Sequence, residues 1–299
     1  MKVLNYGSLN LDLVYHMEHF IRPGETFGAS RLDKFPGGKG LNQSIALARA
    51  GARVYHAGNV GPDGEVLVET LRNAGVDTDL IRRVEEVTGH AVIQVDSRGD
   101  NSIILYAGAN ARVTSDQIDR VLEEFARGDY LILQNEINLV GEIMDKAFDK
   151  GMTIVLNPSP MNEEIRKLPL EKVSIFLLNE IEGEELTGKR EPEDILDELL
   201  ARYPRARVVL TLGGKGSVYG DGEERIQQDI YEVEAVDTTA AGDTFTGYFI
   251  STLIRTGSCR EALDMAARAS ALAVSRQGAA PSIPALEEVR AAAGDIQEM

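Results

Sequence analysis

Short apolar runs alternate with helix-like segments along most of the chain. The runs Val3–Ser8, Tyr130–Leu133 and Ile175–Leu178 contain few polar residues. Such strands are typical of a parallel sheet that is covered by helices on both faces. Between the runs, apolar residues return every three or four positions, which predicts helices such as Val140–Lys150. The pattern therefore predicts an α/β fold with a central, mostly parallel sheet.

The same reasoning assigns the other elements. The further predicted strands are Phe27–Phe35, Arg53–Val60, Ala91–Val95, Ser102–Tyr106, Thr153–Asn157, Val208–Leu212 and Ser217–Tyr219. The further predicted helices are one that runs from the Gly-rich segment after Pro36 to Ala50, one after Asn179, and Gly64–Ala74, Asp116–Arg127, Thr244–Arg255, Arg260–Ser275 and Ala285–Ala293. A polar turn at Asp96–Asn101 joins two of the strands into a hairpin, which indicates a small accessory sheet.

Composition excludes several classes of function. The chain has 299 residues, a formal net charge of −17 and a pI of about 4.7. This charge argues against nucleic acid or an anionic membrane as a partner. The single cysteine, Cys259, excludes an internal disulfide framework, and no apolar run approaches the ~20 residues that span a bilayer. We expect a soluble cytoplasmic protein.

The segment from Val236 to Gly247 carries the most informative pattern. It passes through Ala240, Ala241 and Gly242 to Asp243, and a helix-like run follows. The first N–H groups of a helix have no intrahelical partner and attract anions. A carboxylate beside such a phosphate pocket is a candidate base for an attacking hydroxyl. The alternative is that Asp243 is an ordinary N-cap.

Two segments near the start suggest a site for a small polyol. Asn10 and Asp12 lie on one face if this segment is extended. Further on, Pro36-Gly37-Gly38-Lys39-Gly40-Leu41-Asn42-Gln43 opens a helix, and paired glycines allow close approach of a ligand to the backbone. An Asx turn at Asn10 and a plain Gly-rich turn with a solvated Lys39 are the alternatives.

Polar residues recur where the predicted parallel strands end. They are Asn135 with Glu136, Asn157, Asn179 with Glu182, and Thr211 with Gly213-Gly214-Lys215-Gly216. In parallel sheets, ligands bind beyond the carboxyl ends of the strands. The glycines from 213 to 216 can let the backbone touch nucleotide phosphates, or they can form the turn of a hairpin.

Taken together, the chain resembles the ribokinase family of carbohydrate kinases, the PfkB type, over essentially its whole length. The resemblance is carried by the motifs Gly7-Ser8-Leu9-Asn10-Leu11-Asp12, Gly37 to Gln43, Thr88-Gly89, Gly108-Ala109-Asn110, Asn179-x-x-Glu182, Thr211 to Gly216 and Asp237 to Asp243. It implies a three-layer α/β/α kinase domain over residues 1–299, with a small β lid at about 11–35 and 90–107. In this family the lid often forms a homodimer contact.

The resemblance also implies transfer of the ATP γ-phosphoryl group to a sugar hydroxymethyl, with Asp243 as the base and Ala240, Ala241 and Gly242 as the anion hole. The positions that match sugar-binding residues, besides Asp243, are Asn10, Asp12, Gly38, Lys39, Asn42 and Glu136. Those that match ATP-binding residues, besides Gly242, are Asn179, Thr211, Gly213, Gly214 and Gly216. Glu182 matches an indirect magnesium position, and Asp237, Thr239, Ala273, Arg276, Gly278 and Ser282 match a potassium site.

The expected sugar is D-ribose, which would give D-ribose 5-phosphate. Gln43 fits a ribose kinase better than relatives that act on fructose 1-phosphate, and Asn10 fits a partner for a 2-hydroxyl. Three departures from the family pattern are Leu41, Ala267 near the expected adenine and Asn135 near the expected sugar. A kinase for another pentose, a ketose or a nucleoside, and a non-catalytic sensor on the same fold, stay open. A dinucleotide oxidoreductase is disfavoured because no G-x-G-x-x-G follows the first strand.

Overall fold

The computed structural model of the protein describes residues 1–292. Its strands, in chain order, are β1 (Val3–Tyr6), β2 (Asn10–His16), β3 (Arg31–Gly37), β4 (Val54–Val60), β5 (Ile81–Arg83), β6 (Gly89–Val95), β7 (Asn101–Tyr106), β8 (Tyr130–Leu133), β9 (Thr153–Leu156), β10 (Ile175–Asn179), β11 (Arg207–Thr211), β12 (Ser217–Gly220) and β13 (Arg225–Gln228). Its α-helices are α1 (Lys39–Arg49), α2 (Glu65–Asn73), α3 (Ser115–Glu123), α4 (Val140–Asp149), α5 (Glu180–Thr187), α6 (Pro192–Arg202), α7 (Ala241–Thr256), α8 (Cys259–Val274) and α9 (Leu286–Ala291).

The large sheet has the order β13-β12-β11-β10-β9-β8-β1-β4-β5. All neighbours from β11 to β5 pair in parallel, and β12 and β13 add an antiparallel edge. The predicted α/β fold with a mostly parallel sheet is confirmed. The chain first builds outward from β1 to β4 and β5 and then restarts on the other side at β8. Ligands bind at such a switch point, beyond the carboxyl ends of the strands.

Two separate apolar cores cover the faces of the large sheet. Val3 belongs to one core together with residues of α1, α7 and α8, whereas its neighbour Leu4 belongs to the other together with residues of α3, α4 and α6. This alternation follows from the two-residue period of a strand. Because both faces are covered, the strands read as nearly continuous apolar runs in the sequence.

A second, smaller sheet has the order β3-β2-β6-β7. β2 follows β1 after a short connection, so the small sheet lies next to the ends of the parallel strands. All six residues of its edge strand β7 are exposed. The predicted small second sheet is confirmed, and its action as a lid stays a prediction.

Several predicted boundaries are wrong. The strand predicted at Phe27–Phe35 runs instead from Arg31 to Gly37, because its pairing with β2 continues to Asn10 opposite Gly37. The short edge strands β5 and β13 escaped prediction because each has only three or four residues and little apolar alternation.

The acid-rich run after Asn179 forms two helices rather than one. Helix α5 ends at Gly188, which has a φ of 77°, and Pro192 occupies the first turn of α6. A left-handed glycine ends a helix and a proline at the first position begins one, so the break follows from the sequence. The last helix begins near the predicted position, and the predicted end at Ala293 lies outside the described residues. No helix within residues 1–292 has both the length and the apolar character needed to cross a bilayer.

Candidate active site

Asp243 lies in the first turn of α7, where only 7% of its surface is exposed. Its carboxylate makes no cap to its own helix. It accepts hydrogen bonds from Asn42 Nδ2 at 3.1 Å and from Gln43 Nε2 at 2.9 Å. The structure therefore contradicts the ordinary N-cap alternative, since two side chains of α1 hold the carboxylate away from the end of α7.

The backbone around Asp243 leaves N–H groups outside the hydrogen-bond ladder of α7. Ala240 has a φ of 61°, an unusual value for a residue with a side chain, and the first bond of the α7 ladder runs from the Thr244 N–H to the Ala240 carbonyl. The N–H groups of Ala241, Gly242 and Asp243 precede that ladder. The Ala241 N–H donates to the Thr238 carbonyl at 3.2 Å. Gly242 is exposed, and nothing lies within 4 Å of a Cβ placed there, so an anion can approach this turn.

Asn10 is fixed by a residue whose role the sequence did not reveal. Asn110 Nδ2 donates to Asn10 Oδ1 at 2.7 Å, and Asn110 Oδ1 accepts from the Leu9 N–H at 3.0 Å. Both asparagines are buried. The bond to Asn110 fixes which end of the Asn10 amide is the oxygen. The other end, Nδ2, can donate to a ligand.

Glu136 connects three segments of the site. Its Oε2 atom accepts from the Ser8 hydroxyl and from the Lys39 backbone N–H, the latter at 3.0 Å. Burial raises the pKa of the Glu136 carboxyl above its usual range, although Ser8 and the Lys39 ammonium act in the opposite direction. Gly38 makes this turn possible, since its φ is 94° and a Cβ there would lie 3.0 Å from the Asn10 nitrogen.

Lys39 supplies the positive charge among several carboxylates. Burial alone would lower the pKa of its ammonium, but the negative charges of Asp243, Glu136 and Glu182 together raise it above its usual range. These charges favour a role for Lys39 in the site over the alternative of a solvated lysine in a plain turn. Lys39 places a cation among these acids, near the point where a phosphoryl group could meet Asp243.

Asp12 titrates near neutral pH. Burial, together with the negative charge of Glu136, raises the pKa of the Asp12 carboxyl to about 7. Asp12 lies opposite Phe35 in the β2–β3 pair, so it belongs to the small sheet rather than to the large one. We refer to Asn10, Asp12, Lys39 and Glu136 as the acceptor side of the site.

A cavity of about 840 Å³ lies on the other side of the first turn of α7. We call it the glycine-lined cavity. Its walls include the predicted nucleotide residues Thr211, Gly213, Gly214, Gly216 and Gly242, together with Ala241 and Ala267. The glycines from 213 to 216 also form the turn between the antiparallel strands β11 and β12, so the hairpin alternative and the ligand alternative are compatible.

Asn179 and Glu182 are engaged with each other. Asn179 Oδ1 accepts from the Glu182 N–H at 2.8 Å, and Glu182 Oε2 accepts from the Asn179 N–H at 3.0 Å. This reciprocal pair is a capping box at the start of α5. Asn179 is not among the residues that line the glycine-lined cavity. Glu182 is buried near Lys39, and its Oε1 atom lies outside the capping box.

Asp237 ties together the two loops of the predicted potassium site. Its Oδ1 accepts from the Thr239 N–H and its Oδ2 from the Gly278 N–H, each at 2.9 Å. Burial opposes ionisation, but these bonds hold the pKa of the Asp237 carboxyl below its usual range. Arg276 donates to Glu288 at 2.7 Å, so its guanidinium points to α9.

The other members of this predicted set are Ala273, which is fully buried on α8, and Ser282, whose hydroxyl donates to the Ala279 carbonyl at 2.8 Å. Potassium binds to carbonyl and carboxylate oxygens, and these loops carry such oxygens. Within residues 1–292 no group of three or more His, Cys, Asp or Glu side chains is arranged to hold a metal ion.

Sequence reasoning missed the buried residues that orient the site. Ser8 and Asn110 stand out in the sequence only as parts of motifs, and Gln134 does not stand out at all, although each bonds a predicted site residue or its neighbour. The departure at Asn135 has a structural explanation. Asn135 Nδ2 donates to the Pro160 carbonyl at 2.7 Å, and the Asn135 N–H donates to the Ser159 carbonyl. This side chain therefore holds the loop after β9.

Comparison with known proteins identifies the family of this chain. Residues 1–286 match the model of the pfkB family carbohydrate kinases. The chain is 35% identical to a ribokinase of Staphylococcus aureus, covering 96% of this chain and 98% of the relative. It is 36% identical to a ribokinase of Haemophilus influenzae, covering 94% and 95%.

A solved structure is similar over the same length. Arabidopsis thaliana ribokinase, complexed with ribose and ATP, superposes with a TM-score of 0.86 at 32% identity, covering 97% of each chain. The resemblance inferred from the sequence motifs is thereby confirmed. The chain belongs to the pfkB family of carbohydrate kinases.

Proposed function

We propose that this kinase transfers the γ-phosphoryl group of ATP to the hydroxymethyl oxygen of D-ribose, giving D-ribose 5-phosphate, with Asp243 as the general base. The position of Asp243 carries the proposal. Its carboxylate faces Asn42 and lies near Lys39 and Glu136, whereas its neighbours Ala241 and Gly242 line the glycine-lined cavity. Similarity to ribokinases along the whole chain supports ribose and ATP as the substrates.

The proposed reaction needs one base and one anion site. Asp243 accepts the hydroxymethyl proton as that oxygen attacks the γ-phosphorus. A new O–P bond forms, the bond from the γ-phosphorus to the bridging oxygen breaks, and ADP leaves with the electron pair. The N–H groups at the start of α7 and the Lys39 ammonium stabilise negative charge on the transferring group. Oxygens of the sugar bind to Asn10 Nδ2, Asp12 and Glu136.

Magnesium and potassium complete the proposed site. Magnesium, bound with the ATP, would neutralise phosphate charge, and Glu182 would hold it through water with the oxygen that the capping box leaves available. The loops joined by Asp237 would hold potassium through their oxygens. The bound potassium would fix the loop that leads into Ala240 and the start of α7.

We propose that the small sheet joins two copies of the protein through their lids. Ile103, Ile104 and Leu105 on the edge strand β7 are each more than half exposed. On the opposite edge strand, β3, Leu32 and Phe35 are 42% and 39% exposed. Exposed apolar side chains on edge strands favour pairing with another chain.

Replacement of Asp243 tests the proposed base. Asp243→Asn removes the proton acceptor but keeps the shape, so we expect turnover to fall by at least about 10³-fold with an unchanged melting temperature. Asp96→Asn is the control, because Asp96 is equally buried but lies in the turn of the small sheet. Turnover within tenfold of wild type in Asp243→Asn would exclude the assignment.

A panel of sugars tests the substrate. ADP release is compared for ribose, 2-deoxyribose, fructose, fructose 1-phosphate and nucleosides, and ribose should give the highest kcat/KM. An equal or higher value for another sugar would reassign the substrate. No turnover with any member would favour the sensor alternative.

Exchange of potassium for tetramethylammonium in the same assay should lower the rate, and an unchanged rate would contradict the cation site.

A further inference from the structure

Gln134 lies directly after β8, at the centre of the sheet, and only 1% of it is exposed. Its Nε2 atom donates two hydrogen bonds, one to Gln43 Oε1 at 2.6 Å and one to Asn5 Oδ1 at 3.0 Å. A primary amide has two N–H donors, so both are used. Gln134 therefore makes no direct bond to Asp243, but it bonds a residue that does.

The bond from Gln134 decides which end of Gln43 faces Asp243. Because Gln43 Oε1 points at Gln134, its Nε2 points at Asp243 Oδ1, at 2.9 Å, and at Asn157 Oδ1, at 3.3 Å. The opposite orientation would place the amide oxygen against the carboxylate. It would also place two N–H groups against the N–H groups of Gln134, so both contacts would be repulsive.

The other side of Gln134 is anchored by a second buried chain of bonds. Asn5 Nδ2 donates to the Gly40 carbonyl and to Ser44 Oγ, each at 2.8 Å, which directs Asn5 Oδ1 toward Gln134. Ser44 Oγ lies 2.8 Å from His56 Nδ1. Burial lowers the pKa of His56 to about 3, so this imidazole stays neutral at physiological pH. Protonation of His56 therefore does not reverse the direction of these hydrogen bonds.

We propose that Gln134 is a positioning residue for phosphoryl transfer, which acts through Gln43 by fixing the amide that holds the Asp243 carboxylate. The inference rests on the proposed function of Asp243. Every side chain of this network is at most 1% exposed, so a hydrogen bond to water does not readily replace a lost one. The network consists of Asn5, Gln43, Ser44, His56 and Gln134. The five residues come from β1, α1, β4 and the end of β8, and they join the frame of the sheet to the site.

The charged groups around Asp243 do not substitute for this amide. Lys39 faces it from the start of α1 and Glu136 from the loop after β8. Glu182 interacts electrostatically with Lys39, and Asp12 interacts electrostatically with Glu136. Asp237, before α7, is engaged with Thr239 and Gly278. The bonds that the carboxylate accepts come from the side chains of Asn42 and Gln43.

The test compares Gln134→Met, Gln43→Met and the double variant. Each single change keeps the side-chain length but removes the amide. A displacement of the base of the order of 1 Å costs about 100-fold in rate, so we expect Gln134→Met to lower kcat by about 10- to 100-fold, with the KM for ATP within about twofold of wild type. If Gln134 acts through Gln43, the double variant is no slower than Gln43→Met.

The pH profile supplies a readout that a purely structural role would not move. A carboxylate that loses an N–H donor holds its proton more tightly, so the low-pH limb of kcat should move to higher pH in both single variants. Gln117→Met is the matched control. Gln117 is also a buried glutamine that donates to an asparagine, Asn59, at 2.8 Å, but its bonds do not lead to Asp243. It should lose stability without a change in the pH profile.

Three outcomes would overturn the inference. They are a Gln134→Met variant with wild-type kcat and pH profile, single effects that multiply in the double variant, and a Gln117→Met control with the same kinetic change. If Gln134→Met does not fold, Gln134→Asn, which withdraws the amide by one methylene, is measured instead with the same criteria. Retained turnover in Asp243→Asn would refute the proposed base itself, so the two failures are distinguishable.

Discussion

The acceptor side and the glycine-lined cavity differ in the groups that line them. The acceptor side consists of polar side chains, and each has a partner or a charged neighbour, as Asn10 has Asn110 and Glu136 has Ser8. The glycine-lined cavity combines glycines and other small residues around Gly213, Gly214 and Gly242 with apolar side chains such as Ile230 and Phe245. Under the proposed function, recognition of the acceptor would depend on the orientation of a few side chains. Recognition of the nucleotide would depend on apolar walls and on the space that the glycines leave open.

Among the changes that compare the two sides, Lys39→Met should have the largest effect, because Lys39 is the cation that faces Asp243, Glu136 and Glu182. Removing one group that stabilises charge on the transferring phosphoryl costs about 3 kcal/mol of transition-state stabilisation, which corresponds to roughly a 100-fold loss in kcat/KM. Steady-state kinetics with both substrates measure it, and Lys34→Met on the exposed face of the small sheet is the control. A loss below threefold would show that the acceptor side does not depend on this charge.

Gly216→Ala should damage the nucleotide side alone. A Cβ at this position would lie 2.1 Å from the Gln228 carbonyl, and the φ of 89° is unfavourable for alanine. Such strain costs about 1–3 kcal/mol, so we expect the KM for ATP to rise about tenfold or more while the KM for the sugar is unchanged.

Gly222→Ala is the control for this prediction, since nothing lies within 4 Å of a Cβ there. If Gly216→Ala changed the KM for the sugar as much as that for ATP, the two sides would not be separable in the way that the structure indicates.

Asn110→Ala should damage the acceptor side alone. It frees the Asn10 amide and leaves Asn10 Oδ1 unpaired, at a cost of about 1.4 kcal/mol or a tenfold rise in the KM for the sugar. Kinetics with saturating ATP measure it. Asn138→Ala removes a similar asparagine whose side chain bonds the backbone of Val113, and it should leave the KM for the sugar unchanged.

The smallest expected effect is on the pH dependence of sugar binding. The pKa of Asp12 is about 7, so its charged form, the better acceptor for a sugar hydroxyl, rises from about a quarter to about three quarters of the protein between pH 6.5 and 7.5. The KM for the sugar should therefore fall about threefold over this range. Asp12→Asn should remove the dependence, and a variant that keeps it would assign the titration to another group.

Much of the fold was predictable because its signals are local. Apolar runs identified the buried parallel strands from β8 to β11, and the three- to four-residue period identified α4, α7 and α8 within a few residues. The strands β5 and β13 were missed because they are short edge strands whose pairing depends on distant neighbours. The strand β2 was expected only as an extended segment at Asn10 and Asp12. The break between α5 and α6 is readable from Gly188 and Pro192, although the continuous acidic run after Asn179 favours a single helix.

By itself, the sequence determined the fold class and the residue types that phosphoryl transfer needs. In motifs such as Ala240 to Asp243, these residue types occur within a few consecutive positions. Only the tertiary structure decided how the side chains are oriented. Asn42 and Gln43 hold Asp243 across about 200 positions of sequence, and Gln134 fixes Gln43 from a third segment. The direction of a hydrogen bond between distant segments depends on how the sheet brings them together, and no local pattern records it.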